Sequence, residues 1–305
     1  MRPSRSGVLV VDKGAGITSF QVVARLRRLL PAPKIGHGGT LDPAATGVLP
    51  ILIGEATKLS PYLMDHDKEY LAVVRLGVET DTQDLTGRVL AETPVPALAR
   101  ADIERACAPL TGVLAQVPPM YSAVHHGGRR LYELARAGVE VERAARPVVV
   151  SAIRVEALAL PQVTLRIVCG KGTYVRTLAA DLGRALGVGG AVERLVRTRV
   201  GALRLEDAVP WARVEEGVAS RLWPAVLAPD AAVGALPAAV LDGAAAEAWM
   251  NGRSVPARAE ADVGLARVYG PGQRFLGIGR LAAGGRVKPE RVLHADRPGT
   301  SARPA

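Results

Sequence analysis

The chain has 305 residues, 49% apolar and 22% charged, a balance that fits a soluble globular protein of two domains and excludes a disordered or fibrous one. Its 39 Lys and Arg against 29 Asp and Glu leave a formal charge of +10, which points to a polyanionic partner or an anionic membrane surface. No run approaches the roughly 20 apolar residues of a membrane span; the two cysteines, Cys107 and Cys169, have no partners at metal-ligand spacing, which excludes a disulfide scaffold and fits a reducing, cytoplasmic setting.

In chain order, the first feature is GHGGTLDPAATG at 36–47, a glycine-flanked loop, followed by an apolar wall at 48–53 that anchors it. Residues 70–76 alternate as a strand with Tyr70, Ala72, Val74 and Leu76 on one face, and Gly77 with the polar run 79–87 predicts a turn. Residues 130–137 predict a short helix closed by Gly138. Residues 163–169 alternate again, placing Cys169 in a core-facing pattern. Beyond the turn Gly170, Lys171, Gly172, Thr173 is the expected N-cap of a helix with Val175, Leu178, Leu182 and Leu186 on its inner stripe, ended at Gly187. Long strands with flanking helices predict an α+β fold. Residues 225–246, rich in Ala, Val and Pro, read as a domain junction. The Gly-rich remainder, with short strand-like runs at 264–269 and 274–278, predicts a small β-barrel, and from 245 to 305 it carries ten Lys or Arg against five Asp or Glu.

The loop at 36–47 holds one carboxylate, Asp42. Glycines around it let the backbone approach a ligand, and Pro43 pushes Asp42 away from the helical region toward an extended conformation. His37 and Thr40 add hydrogen-bonding groups. Asp before Pro is also a common turn starter, so the dipeptide by itself would mean little. Only 4% of the residues are aromatic, which argues against stacking single-stranded bases along a platform and for recognition by shape and phosphates.

GHGGTLDPAATGVLPILIGEATKL, followed by DKEYLAVVRLGVETDTQDLTG, PPMYSAVHHGGRRLYELARAG and CGKGTYVRTLAADLG, resembles the active-site region of the TruB-type tRNA pseudouridine synthases. The resemblance runs from about Gly7 to about Val200 and returns in the last sixty or so residues. It implies a catalytic domain at 1–240, built on a mixed or antiparallel sheet flanked by helices, and a small PUA-like RNA-binding β-barrel at 245–298. Residues 299–305 read as a disordered tail. The implied activity is isomerisation of uridine to pseudouridine at position 55 in the TΨC loop of tRNA. The implied partner is the tRNA elbow and T-arm, with no cofactor, no metal, no membrane and no protein partner, the chain acting as a monomer. SAVHHGGRRLYELARAG favours the stand-alone bacterial branch over guide-RNA-dependent relatives. Two positions depart from the family pattern: Lys13-Gly14 replaces Lys-Pro, and Gly38 replaces the Thr after the His.

The same resemblance implies roles. Asp42 is the nucleophile at C1′, with direct attack and departure of the base by elimination both open as its first step. Arg176 pairs with the aspartate and keeps it ionised; a cation in the first turn of a helix is no device for stabilising that helix. Tyr70 stacks on the flipped base and accepts the C5 proton, Tyr174 and Leu195 wall the pocket, and His37 helps hold the target nucleotide out of its stack. Extruding that nucleotide costs a few kcal/mol, offset in part by phosphate contacts for which Lys58, Arg129, Arg130, Arg194, Arg197 and Arg199 are the candidates. Three other readings compete. A glycoside hydrolase needs a second carboxylate, and Asp81 and Asp84 lie in a polar turn. A phosphate-binding loop at GKGT lacks the required glycine spacing. A tRNA-folding factor, whose main act would be opening the elbow, can coexist with catalysis.

Overall fold

Gly7–Lys13 and Thr46–Ile53 read GVLVVDK and TGVLPILI, near-continuous apolar runs of the kind that strands buried on both faces require. In a computed structural model, which describes residues 6–294, the two pair antiparallel from Gly7 opposite Ile53 to Lys13 opposite Gly47. Gly7–Lys13 also pairs with Val209–Pro210 and Val226–Leu227, far along the chain. By contacts the chain divides into two units: one runs to Pro43, includes Gly47–Asp65 and resumes at Val200; the other comprises Ala44–Thr46 and His66–Arg199.

In the first unit one apolar cluster brings Val8, Val10 and Leu52 together with Ala232, Val233, Ile278 and Leu293. Residues 225–246 therefore do more than connect, since Ala232 and Val233 are wholly buried and Ala238–Val240 is a strand. The helix Ser19–Leu29 starts with a reciprocal cap. The Thr18 hydroxyl accepts from Gln21 N–H at 3.1 Å, while Gln21 Oε1 accepts from Thr18 N–H at 2.7 Å. It buries Val22, Val23 and Leu26, the i, i+1, i+4 face of an amphipathic helix.

The C-terminal part carries a six-stranded sheet in the order Val255–Pro256, Arg286–Val292, Arg274–Ala282, Gly264–Gly270, Ala238–Val240, Arg258–Ala259. Its two end strands are separated in sequence by Ala257 alone, so the sheet curls into a nearly closed barrel, as expected for a PUA-like domain. Trp249, on the helix Gly243–Met250, fills its core. Tyr269 is pinned there: its hydroxyl donates to Asp230 Oδ2 at 2.8 Å and accepts from Arg267 at 3.2 Å.

In the second unit the strands lie in the order Gly190–Val200, Lys68–Leu76, Gln162–Cys169, Arg146–Ala159, Gly112–Gln116. Lys68–Leu76 and Gln162–Cys169 run antiparallel, with Val74 opposite Val163 and Ala72 opposite Leu165. The alternation seen in sequence holds: Ala72, Val74 and Leu76, and Val163, Leu165, Ile167 and Cys169, are all buried. The helix Val175–Ala185 covers this unit with Val175, Leu178 and Leu182 buried. The helix expected at 130–137 is Leu131–Arg136. Among the described residues no helix is long and apolar enough to cross a membrane; residues 299–305, read as a tail, lie outside the described residues.

Candidate active site

Asp42 is half-exposed, while the backbone on each side of it is fastened. On the N-terminal side the Ser19 hydroxyl accepts from Leu41 N–H at 2.9 Å and donates to Leu41 O at 3.2 Å. On the C-terminal side Pro43 O accepts from Lys13 Nζ at 3.1 Å and from Gly16 N–H at 2.9 Å. Lys13 is fully buried and also donates to the carbonyls of Gly14 and Ile17, at 2.8 and 2.9 Å. A buried ammonium needs such acceptors to offset its lost hydration. The acid is thus carried on a rigid turn whose side chain remains approachable. The sequence pointed to the acid but not to Ser19, and Lys13 had no evident task; a lysine inside an apolar strand end was the available signal.

Both departures from the family pattern lie against close neighbours. A Cβ at position 38 would fall 2.3 Å from Leu63 Cδ2, so Leu63 occupies the space a larger residue would need. A Cβ at position 14 would sit 3.3 Å from Trp211 Cδ1, so the indole packs directly on the Gly14 backbone. His37 is half-buried at the end of the short strand Ile35–His37, opposite Ile51.

In the second unit, Arg176 is buried, so it is not a solvated surface charge. One guanidinium nitrogen donates to Thr82 O at 2.7 Å and another to Tyr121 O at 2.9 Å, while Nε lies 3.9 Å from Asp84 Oδ2. Asp84 is itself only 13% exposed, and its Oδ1 accepts from the Thr82 and Thr86 hydroxyls and from Thr86 N–H. The turn at 79–87 therefore provides an acid facing the arginine, which sequence reasoning passed over as merely polar; the cluster of small hydroxyl residues in TDTQDLT was its signal.

The helix that carries Arg176 begins later than expected. Tyr174, not Thr173, holds the N-cap position, with φ −98° and ψ 107° and no side-chain cap. A tyrosine ring cannot reach its own helix's first N–H groups, and the carboxamide of Gln116 fastens this residue instead: Oε1 accepts from Tyr174 N–H at 2.8 Å and Nε2 donates to Tyr174 O at 3.2 Å. Tyr174 is half-buried, as is Tyr70, which stands opposite Ile167 on Lys68–Leu76; Leu195 is buried on Gly190–Val200. Beside Tyr70, burial alone would raise the Glu69 carboxyl, but hydrogen bonds from Thr198 and Arg166 outweigh it and hold the group below the usual range. Cys169 is a core residue whose thiol burial pushes up to about 11.

The basic candidates separate. Arg129, Arg130 and Arg194 are exposed and Arg199 is half-buried. Arg197 is 1% exposed, so its guanidinium is not presented to a surface phosphate. Lys58 is half-exposed and tied to its neighbours, with Nζ 2.5 Å from Glu55 Oε2 and 3.3 Å from Val292 O. His125 and His126, unassigned in sequence, pair in register with Arg130 and Arg129 on an exposed two-stranded ribbon.

Residues 27–175 match the family model for the N-terminal domain of TruB family pseudouridylate synthases, and residues 176–230 and 237–293 match two models for C-terminal domains of the same enzymes. A tRNA pseudouridine synthase B of Aromatoleum aromaticum is 49% identical over 94% of this chain and 92% of its own length. One of Pseudomonas aeruginosa is 42% identical over 97% and 98%. Among solved structures, a chain in the crystal structure of a Cbf5-Nop10-Gar1 complex superposes with a TM-score of 0.75 at 26% identity, over 95% of this chain and 85% of that one. With these matches spanning nearly every described residue from the first strand to the barrel, the chain belongs to the TruB family of pseudouridylate synthases.

Proposed function

We propose that this chain isomerises uridine to pseudouridine at position 55 in the TΨC loop of tRNA, with Asp42 as the nucleophile. Family membership supports the reaction class, and relatives named tRNA pseudouridine synthase B support tRNA as the substrate. The observation that carries the assignment of Asp42 is its setting: the carbonyl groups of both neighbouring residues are fastened by buried groups while its own side chain stays half-exposed. Such preorganisation is what a nucleophile needs in order to meet a reacting carbon without ordering costs.

In the reaction, the Asp42 carboxylate bonds to C1′ as the C1′ to N1 bond breaks. The uracil turns, C5 bonds to C1′ as the carboxylate leaves, the C5 proton passes to a base, and N1, which kept the electron pair of the broken bond, takes up a proton in its place. Atoms and electrons balance without an external reactant. Arg176 supplies the fixed positive charge, Tyr70 receives the C5 proton, Tyr174 and Leu195 wall the base, and His37 positions the nucleotide. Arg129, Arg130, Arg194 and Arg199 serve the phosphate backbone. The decisive experiment is pseudouridine mapping on a tRNA transcript incubated with the purified protein. Modification at position 55 alone is expected; free uracil as product would point to a hydrolase, and no modification at that position would overturn the proposal.

A further inference from the structure

Gln116 ends the strand Gly112–Gln116 opposite Arg146, so the sheet fixes its backbone. Its side chain is 4% exposed, and it spends both halves of its carboxamide on one residue, Tyr174. The carbonyl it grips is the one that accepts from Leu178 N–H at 3.2 Å, the opening hydrogen bond of the helix Val175–Ala185. Two residues on, Arg176 must reach Thr82 O and Tyr121 O together. We infer that Gln116 is a positioning residue for this reaction, holding the start of that helix so that the Tyr174 ring and the Arg176 guanidinium are presented in one fixed orientation.

A primary amide suits this contact: it carries a donor and an acceptor on separate atoms of one planar group and so can pair with the N–H and C=O of a single residue, as a neighbouring strand would. A 1 Å misplacement of catalytic groups costs about a hundredfold in rate, so the grip acts on turnover and not on affinity for RNA. The inference rests on the roles proposed above for Tyr174 and Arg176.

The test is Gln116→Glu, followed by single-turnover pseudouridine formation on a tRNA transcript and by the tRNA Kd, from pH 8 to 5.5. The introduced carboxyl still accepts from Tyr174 N–H but, ionised, opposes the Tyr174 carbonyl; burial beside that oxygen raises it above the ordinary glutamate value of about 4.3. Protonation restores a donor. At pH 8 the rate should fall at least tenfold with Kd within threefold of wild type, and the variant-to-wild-type rate ratio should rise at least threefold by pH 5.5. A rate within threefold of wild type at pH 8, or a ratio flat across pH, overturns the inference. Should the variant not fold, hydrogen exchange at Tyr174 N–H in the wild-type protein reads the same bond, and exchange as fast as an open amide overturns it. Arg176→Lys and Tyr174→Ala run alongside: if both keep the wild-type rate, the site reading itself fails, whereas their loss with an unaffected Gln116→Glu refutes only the role of Gln116.

Discussion

Lys13 Nζ donates to the carbonyl of Pro43, so a fully buried ammonium fixes the residue that follows the proposed nucleophile. Replacing it by methionine keeps the volume but leaves the Gly14, Ile17 and Pro43 carbonyls without that donor. Lys13→Met should cost about 2–4 kcal/mol of stability. Urea unfolding measures this, and a loss under about 0.5 kcal/mol would mean the carbonyls find other partners.

Asp42→Asn preserves shape and removes the anion. Pseudouridine formation should vanish, while tRNA affinity stays within about tenfold, or 1.4 kcal/mol. Filter binding and product mapping on the same preparation separate the two, and residual turnover near the wild-type rate would contradict the assignment.

Arg176 binds two carbonyls with the fork of a planar guanidinium, a geometry that an ammonium cannot reproduce. Arg176→Lys should lower kcat at least a hundredfold, or about 2.7 kcal/mol, with a smaller effect on KM. Asp84→Asn, which keeps the hydroxyl contacts but weakens the attraction to Arg176, should lower kcat about tenfold. Equal losses in KM and none in kcat would place both residues in RNA binding instead.

Burial and the hydrogen bond to Asp230 push the Tyr269 phenol up to about 12. An unfolded tyrosine ionises near about 10, so the folded protein holds this proton more tightly. The resulting stability is complete below about pH 10 and is lost as pH climbs through about 12. Tyr269→Phe should therefore cost about 1–2 kcal/mol at pH 7, and its Tm deficit should shrink across that alkaline window. A deficit constant with pH would show that the phenol proton is not what matters.

Truncation after residue 245 would be a poor test of RNA binding by the barrel, because Ile278 and Leu293 share the apolar cluster of Val8 and Leu52. Surface changes are cleaner. Replacing the exposed Arg253, Arg258 and Arg274 by Gln should weaken tRNA binding and reduce the slope of log K against log salt by about 0.7–0.9 for each phosphate that the variant no longer neutralises. An unchanged slope would remove these arginines from the RNA surface.

Local patterns were the legible part of the molecule. The alternation of residues 70–76 and 163–169 and the inner stripe Val175, Leu178, Leu182 follow from periodicity, and the barrel's strands at 264–270 and 274–282 from short strand-like runs in a Gly-rich segment. What periodicity does not carry is pairing over long separations. Nothing in Val226–Leu227 says that it lies beside Gly7–Lys13, nor in Gln116 that it caps a residue on another element. Asp84 was hidden for a related reason: a polar turn and a buried acid facing a cation have the same composition, and only the position of Arg176 tells them apart. The N-cap fell one residue late because the grip on Tyr174 comes from a strand and not from its neighbour Thr173.

The first strand finds its flanking partners at Val209–Pro210 and Val226–Leu227, and the apolar cluster around it closes only with Leu293. During synthesis Val8 and Val10 therefore lack the last of their neighbours until Leu293 has been made. Strands within 66–199 can meanwhile pair with one another. A product truncated before Val209 would leave Gly7–Lys13 without those flanking partners and Val8 and Val10 without much of their cluster, the kind of exposed apolar surface that chaperones and proteases are built to recognise.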